Sequence, residues 1–262
     1  MVLIDLRYRI VDVFSDRPLA GNALCVVLDP APADVMQALA REVNLSETTY
    51  PVVTADDAYD VRIFTPSEEL PFAGHPSLGT AWVLGPNEWT QRSPGATVSI
   101  TADASGAVMT QPDPEFKDLD DGAAVIDALG LPGADAVVSA AVGGNTFVFA
   151  LTDAPIDGLQ PDLAALLSAG AGMVGVVRRR DDRSLHARVF VPGAGIAEDP
   201  GTGGAAGAIG LLARRQWGTD ADVTIHQGIE MGRPCVIEVH AEEGAIRVGG
   251  KVAACAEGRF SW

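Results

Sequence analysis

The strongest constraint on the fold is an internal repeat that divides the sequence into two similar halves. Three landmarks occur twice, in the same order, at offsets of 123 to 126 residues in a chain of 262. The pairs are residues 62–66 with 188–192 (Arg-Ile-Phe-Thr-Pro and Arg-Val-Phe-Val-Pro), His75-Pro76 with Asp199-Pro200, and Gly21-Asn22 with Gly144-Asn145. Because three ordered matches are hard to obtain by chance, we expect an internal duplication.

Each half is predicted to alternate strands with helices. The spacing of Val35, Leu39 and Val43 predicts a helix over residues 33–43. Strands are predicted near residues 7–14, 23–28, 49–54, 59–64, 97–101, 106–111, 136–141, 146–151, 172–178, 185–191, 222–226, 235–240 and 245–249. Short hairpins join several of these strands, which favours an α/β (α+β) chain with mixed sheets over a doubly wound parallel sheet.

The division between the halves is predicted at a segment rich in proline and aspartate. Residues 112–122 read as a linker or a long loop. The domains are therefore predicted at residues 1–113 and 122–262, with the C-terminal tail, about residues 252–262, expected to pack back on the first half.

Composition excludes several classes of protein. Hydrophobic residues make up 47% and charged residues 20% of the chain, enough to bury a core. With 35 acidic against 18 basic residues the net charge is -17, which disfavours nucleic-acid and membrane-surface partners. No apolar run of membrane-spanning length and no signal peptide are seen. Three cysteines without a CxxC pattern argue against a disulfide framework or a zinc site, and favour a cytoplasmic location.

The two equivalent helix starts are the first candidate for a binding site. If Pro76 and Pro200 each occupy the first helical position, His75 and Asp199 become the N-caps. Helix N-termini offer unpaired N–H groups and partial positive charge, so two of them facing each other would hold a small carboxylate. The alternative for Asp199 is an ordinary N-cap, a position that aspartate favours.

Glu47 is the candidate for acid–base chemistry. It follows the first predicted helix, and the matching stretch of the second half, residues 169–172, has no acidic residue. The alternative is a solvated loop glutamate. A carboxylate, an imidazole, a second carboxylate and an anion cradle together suit proton transfer on a small acid without a cofactor.

Other motifs carry weaker signals. Residues 201–206 match a dinucleotide fingerprint, but they lie too far past the preceding strand for such a turn. His186, His226 and His240 lack ligand spacing and are interpreted as structural or surface residues. No GxSxG nucleophile elbow is present.

A set of motifs spread over nearly the whole chain resembles the PhzF family of phenazine-biosynthesis isomerase-like proteins, in the diaminopimelate-epimerase-like fold superfamily. The motifs are Asp12-Val13-Phe14, 18–22 (Pro-Leu-Ala-Gly-Asn), 44–48 (Asn-Leu-Ser-Glu-Thr), 62–66, 69–76 (Glu-Leu-Pro-Phe-Ala-Gly-His-Pro), 198–203 (Glu-Asp-Pro-Gly-Thr-Gly), 227–234 (Gln-Gly-Ile-Glu-Met-Gly-Arg-Pro), 248–251 and 256–258.

The resemblance implies two pseudo-symmetric halves, each a curled mixed sheet around a central helix, with the active site in the cleft between them. It also implies a homodimer and no metal or organic cofactor. The family's essential acid matches Glu47, and its supporting polar residues match His75, Asp199 and Ser46. Backbone amides at Gly74, His75, Gly203 and Gly204 would hold the substrate carboxylate.

The resemblance further implies an activity. The best-understood members isomerise trans-2,3-dihydro-3-hydroxyanthranilate by moving a proton between ring carbons. Here Gly204 stands where the family usually has serine, which removes a hydroxyl from the expected pocket. We therefore expect a cofactor-independent isomerase of a small carboxylic acid. The alternatives are an amino-acid epimerase of the same fold, which would normally carry two cysteines at the helix starts, or a non-catalytic carboxylate-binding protein.

Overall fold

The structure, a computed structural model, describes residues 5–119, 122–142 and 144–261. The chain divides into two compact units. The first unit contains Met1–Thr110 and Gly249–Trp262, and the second contains Gln111–Val248. Within the described residues, no helix is both long enough and apolar enough to cross a membrane.

The first unit is a mixed sheet with two helices. Its elements are β1 (Asp5–Val13), β2 (Asn22–Val27), α1 (Ala33–Val43), β3 (Glu47–Ala55), β4 (Ala58–Phe64), β5 (Glu69–Leu70), α2 (Gly74–Leu84), β6 (Asn87–Ser93), β7 (Ala96–Ala102) and β8 (Gly106–Gln111), whose last residue lies in the second unit. The pairs β2–β3 and β4–β6 are parallel, whereas β1–β2, β3–β4, β4–β5, β6–β7 and β7–β8 are antiparallel.

The second unit repeats this plan. Its elements are β9 (Glu115–Asp118), α3 (Gly122–Leu129), β10 (Ala136–Val142), β11 (Asn145–Thr152), α4 (Leu163–Ser168), β12 (Val174–Asp181), β13 (Ser184–Val191), a 3₁₀ turn (Pro192–Ala194), β14 (Ile196–Asp199), α5 (Gly203–Trp217), β15 (Asp222–Gln227), β16 (Cys235–His240) and β17 (Ile246–Ser261), which continues into the first unit. The pairs β11–β12 and β13–β15 are parallel, whereas β10–β11, β12–β13, β13–β14 and β15–β16 are antiparallel.

The order and direction of strand pairing are therefore the same in both units, and the predicted duplication and mixed sheets are confirmed. Strand β17 adds to the first unit by pairing antiparallel with β1 from Asp5↔Ser261 to Val13↔Val252. That each half folds as a domain bounded at residues 113 and 122 stays a prediction.

A buried helix lies at the centre of each unit. Helix α2 contacts β1, β2, β3, β6 and β7, and α5 contacts β10, β11, β12 and β16. Most residues of both helices are buried, as expected for helices that are apolar on every side. Glycines permit the close approach: a Cβ on Gly79 would lie 2.6 Å from Leu24 Cδ2, and one on Gly210 would lie 2.8 Å from Ala241 Cβ.

Each unit also packs helices on the other side of its sheet. In the first unit, Met36, Leu39 and Ala40 of α1 join Tyr50 and Phe64 in one apolar cluster. In the second unit, α3 and α4 cover β11, β12 and the end of β13.

The linker prediction is wrong in one respect. Residues 115–118 of the segment interpreted as a loop form β9, which pairs antiparallel with β10. The charged strand carries little hydrophobic signal because three of its four residues are exposed. Asp120 and Asp121, which contributed to that prediction, lie outside the described residues.

Candidate active site

Glu47 and His75 come together in the first unit. Helix α1 ends at Val43, its C-cap Asn44 adopts a left-handed conformation (φ 52°), and the chain continues through Leu45 and Ser46 into β3. Glu47 is the first residue of β3, paired with Leu24 of the parallel strand β2. This connection sets the carboxylate beside the start of α2, where His75 is the second residue.

The side chains of Glu47, His75 and Asn22 form a row in which His75 contacts the other two. The Nε2 atom of His75 lies 3.3 Å from Oε2 of Glu47, without the alignment of a hydrogen bond. On its other side, Nδ1 of His75 lies 3.2 Å from Nδ2 of Asn22, the first residue of β2. The amide nitrogen of Asn22 can only donate, so Nδ1 of His75 accepts in this contact, and the neutral ring carries its proton on Nε2. Asn22 and His75 are buried, and Glu47 is 13% exposed.

Burial controls the charge of His75. Loss of hydration lowers the pKa of His75 to about 3, and a hydrogen bond with the Ala23 backbone opposes this only in part. The imidazole is therefore neutral near pH 7, so its contact with Glu47 is not an ion pair. A neutral ring can still orient a carboxylate or share a proton with it.

Asp199 lies in the second unit, at the end of β14. The Thr202 hydroxyl donates to Oδ2 of Asp199 at 2.5 Å. Gln227, which is buried, donates through Nε2 to the Asp199 carbonyl at 2.8 Å and to Oγ1 of Thr202 at 3.0 Å. This network fixes the backbone and the carboxylate of Asp199 just before α5.

The predicted helix caps are wrong in detail. Helix α2 begins at Gly74 with Ala73 as N-cap, so Pro76 is the third helical residue and His75 the second. Helix α5 begins at Gly203 with Thr202 as N-cap, so Pro200 and Asp199 precede the helix. Proline tolerates any position in the first turn, because those N–H groups have no partner inside the helix.

Both helix starts nevertheless carry donor groups. The N–H groups of Gly74 and His75 in α2, and of Gly203 and Gly204 in α5, have no acceptor within their helices. Helices α2 and α5 lie wholly within the described residues. Neither has a side-chain cap or an acidic residue in its first turn. The positive ends of both helices are therefore not neutralised by their own side chains.

The predicted residues divide between the units. Ser46, Glu47, Gly74 and His75 belong to the first unit, with Ser46 directly before Glu47. Asp199, Gly203 and Gly204 belong to the second unit. The prediction that His75 and Asp199 face each other across one cleft stays a prediction.

Sequence analysis did not identify two buried amides that contact the predicted residues. Asn22 lies beside His75, and Gln227 holds the Asp199 backbone. Both residues occur in the motifs 18–22 and 227–234, and Asn22 is also part of the repeat. Their contacts arise between elements distant in sequence, which residue spacing does not reveal.

Comparison with known proteins defines the class. Trans-2,3-dihydro-3-hydroxyanthranilate isomerase from Pseudomonas aeruginosa is 36% identical, over 97% of this chain and 98% of the relative. The structure of a predicted epimerase from P. aeruginosa is 33% identical, with a TM-score of 0.80 over 97% of this chain and 99% of that one. A PhzF-family phenazine biosynthesis protein from Bacillus anthracis, 21% identical, has a TM-score of 0.85 over 98% of this chain and 99% of that one.

The protein is thus an isomerase with the diaminopimelate-epimerase-like fold. Residues 11–258 match the family described as Phenazine biosynthesis-like protein, PhzC-PhzF, and the chain belongs to this family. The family and fold expected from the motifs are confirmed.

Proposed function

We propose that the protein moves a proton between two carbons of a small carboxylic acid that carries an amino or hydroxyl group, without a cofactor. The observation that carries the proposal is the carboxylate of Glu47, 13% exposed and 3.3 Å from a His75 side chain that burial keeps neutral. The 36% identity to trans-2,3-dihydro-3-hydroxyanthranilate isomerase supports a related substrate.

Glu47 is the proposed proton carrier. In the first step the C–H bond of one substrate carbon breaks, its proton forms an O–H bond with the carboxylate, and the electron pair enters the conjugated system. In the second step the carboxyl group, whose proton exchanges with solvent in a fraction of turnovers, gives a proton to another carbon, the electron pair of the conjugated system forms the new C–H bond, and the carboxylate is restored. General acid–base catalysis of this kind needs no second reactant.

His75 and Asp199 would bind the polar substituents of the substrate. A neutral His75 is a hydrogen-bonding group that adds no net charge beside Glu47. The N–H groups of Gly74, His75, Gly203 and Gly204 would hold the substrate carboxylate, and Ser46 would add a hydroxyl near the carrier. Preorganised donors of this type stabilise charge that develops in a transition state.

The test is exchange of substrate carbon-bound hydrogen in D₂O. A panel of cyclic and linear amino and hydroxy acids, including trans-2,3-dihydro-3-hydroxyanthranilate, is incubated with the protein, and deuterium is located by NMR. We expect Glu47→Gln to reduce exchange about 10²–10⁴-fold, because the substitution removes the titrating group. Glu42→Gln, on the exposed surface of α1, is the matched control. If Glu47→Gln exchanged at the parent rate, Glu47 would not be the carrier.

The predicted epimerase among the structural relatives favours a second candidate, an amino-acid epimerase. The same experiment separates the two. An epimerase places deuterium at the carbon that loses the proton and inverts its configuration, whereas an isomerase labels a different carbon. A non-catalytic binding protein would give no exchange and would bind equally well as Glu47→Gln.

We also propose that the protein is a homodimer in the cytoplasm. The family resemblance supports the dimer, and three cysteines without a CxxC pattern suit a reducing compartment. Sedimentation should give about twice the chain mass of 27.2 kDa. A single-chain mass at micromolar concentration would count against the dimer.

A further inference from the structure

A second cluster of titratable side chains lies in the second unit, apart from the residues proposed for catalysis. It joins Asp157 of the loop after β11, His186 of β13, and Glu230 of the turn between β15 and β16. Nε2 of His186 lies 2.9 Å from Oε1 of Glu230, and Nδ1 of His186 lies 3.6 Å from Oδ1 of Asp157. One ligand atom from each residue lies within 4.8 Å of the others.

The buried atoms of this cluster lack hydrogen bonds. His186 is only 1% exposed, and its Nε2 contacts Oε1 of Glu230 at 2.9 Å but makes no aligned hydrogen bond among the described residues. Both carboxylate oxygens of Glu230 are likewise buried without such a bond. A buried carboxylate is costly unless it is hydrogen-bonded, paired with a charge or bound to a metal.

The guanidinium of Arg188 lies near Glu230 but does not hydrogen-bond its carboxylate. Nε of Arg188 lies 4.0 Å from Oε2 of Glu230, beyond hydrogen-bond range. The Arg188 guanidinium instead makes a bidentate pair with Glu198 at 2.9 and 2.8 Å, and donates to the carbonyls of Ile156 and Leu159 at 3.0 Å each. Its donors are therefore committed elsewhere.

The donor set suits a divalent metal ion. Zinc binds imidazole nitrogen and carboxylate oxygen at about 2.0–2.2 Å, and its tetrahedral geometry places two such ligand atoms about 3.3–3.6 Å apart. Nε2 of His186 and Oε1 of Glu230, 2.9 Å apart, need only a small movement to admit the ion, whereas the 3.6 Å contact of Asp157 is with Nδ1, the other nitrogen of the ring. With Nε2 as the ligand, an Asp157 oxygen has to turn toward it. The Asp157 side chain is largely exposed and can rotate to complete the set. One nitrogen with two oxygens favours a zinc-class ion over magnesium or calcium, which prefer oxygen alone.

We propose that Asp157, His186 and Glu230 form a divalent-cation site of the zinc class. The ion joins the loop after β11 and the β15–β16 turn to strand β13, and water completes its coordination. Gln227 of β15 donates to the Asp199 carbonyl. By binding Glu230 in the turn between β15 and β16, the ion also stabilises the hairpin that carries Gln227.

The test is calorimetric titration of the chelator-treated full chain with ZnCl₂, together with its melting temperature. The parent should bind one tight equivalent, and zinc should raise its melting temperature. Glu230→Gln and His186→Gln should each weaken binding by more than about 10-fold, since even outer-shell losses cost 10–100-fold. MgCl₂ should produce no comparable heat.

The chain offers a matched control in the same unit. His240 also lies between two carboxylates, with Nδ1 at 2.7 Å from Asp222 Oδ1 and Nε2 at 3.6 Å from Glu242 Oε2. These carboxylates are exposed, and His240 Nδ1 is hydrogen-bonded to Asp222. His240→Gln should therefore leave the tight site unchanged. Zinc binding lost in His240→Gln and kept in Glu230→Gln would overturn the proposal.

A second measurement covers the case in which His186→Gln does not fold. Crystals of the parent soaked in ZnCl₂ should show anomalous scattering between Nε2 of His186 and the Glu230 carboxylate. The alternative is that His186 shares a proton with the carboxylates and binds no ion. The crystals would then show no anomalous peak beside His186. Glu230→Gln and Asp157→Asn would also bind zinc no more weakly than the parent does. Either result would refute the metal site.

Discussion

Gly204 stands where the motif resemblance leads us to expect serine. It is the second residue of α5, and a Cβ added there would meet no atom within 4 Å. The space for a hydroxymethyl group is therefore present.

We predict that Gly204→Ser changes substrate preference more than stability. The free energy of unfolding should stay equal or rise by a few tenths of a kcal/mol, up to about 1, because glycine is the poorer helix former. The added hydroxyl should favour substrates with an extra hydrogen-bonding group, measured as relative kcat/KM over the acid panel. Gly218→Ser, at the far end of α5 with φ 67°, is the contrasting control and should destabilise. Unchanged preference would show that position 204 does not contact the substrate.

His75 should make stability depend on pH. The pKa of its imidazole is about 3 in the folded protein against 6.5 as the ordinary value. Between these values the unfolded chain binds the proton and the folded chain does not, so stability rises with pH. The contribution is complete above pH 6.5 and is lost as pH falls towards 3.

The measurement is urea denaturation of the parent and of His75→Gln from pH 7 to pH 4. The parent should lose up to about 1.4 kcal/mol more per pH unit below pH 6.5 than the variant does. The carboxylates that both proteins share contribute equally to the two free energies of unfolding. Subtracting the variant's value from the parent's at each pH therefore removes their contribution. Parallel curves would mean that His75 titrates normally in the folded state.

At the scale of elements, the repeat preserves an arginine clamp before each central helix. Arg62 of β4 holds Glu69 of β5 at 2.7 and 2.6 Å, as Arg188 of β13 holds Glu198 of β14. Each arginine also lies 5.0 Å from a phenylalanine ring two residues further along its strand. These ion pairs attach the short strands β5 and β14, which precede α2 and α5, to β4 and β13.

The two clamps should differ in energy because they differ in exposure. The Arg62 side chain is 39% exposed and the Arg188 side chain 6%. We predict that Arg188→Met destabilises by about 3–5 kcal/mol, because it leaves a buried carboxylate and two carbonyls without their donor. Arg62→Met should cost about 1 kcal/mol or less. Urea midpoints measure both, and equal losses would contradict this account.

Element types were predictable where a periodic pattern is long. The helix predicted at 33–43 matches α1, because its apolar stripe faces one cluster. Strands β5, β9 and β14, which have only two to four residues, escaped prediction, and so did the seven-residue strand β6. Such short strands are fixed by a neighbouring strand and by contacts such as the arginine clamps, which local patterns do not encode.

The candidate site was predictable as a set of residues but not as a geometry. The asymmetry of the repeat and the family motifs indicated Glu47, His75 and Asp199. The contact of His75 with Asn22 depends on strand β2 and helix α2 meeting in space. The cluster around His186 was missed for the same reason, since its three residues are spread over 74 positions, from 157 to 230 counted inclusively.

At the scale of the whole molecule, the first unit is built from both ends of the sequence. Strand β1 pairs with β2 on one side and with β17 on the other. Phe260 stacks on Tyr8 with ring centroids 4.3 Å apart, and the N–H of Val252 donates to the Ser105 carbonyl at 3.0 Å. The duplicated halves are thus not two independent stretches of chain.

We predict that deletion of residues 252–262 destabilises the protein severely, whereas Arg259→Gln does not. The deletion makes β1 an edge strand and removes buried Val252, a loss of about 1.5–3 kcal/mol for that side chain alone. Arg259→Gln breaks only an exposed pair with Asp5, at 2.6 Å, which should cost less than about 1 kcal/mol. Soluble yield and urea midpoints check both variants. If the truncated chain unfolded at the parent's midpoint, the pairing of β17 with β1 would be dispensable for the stability of the first unit.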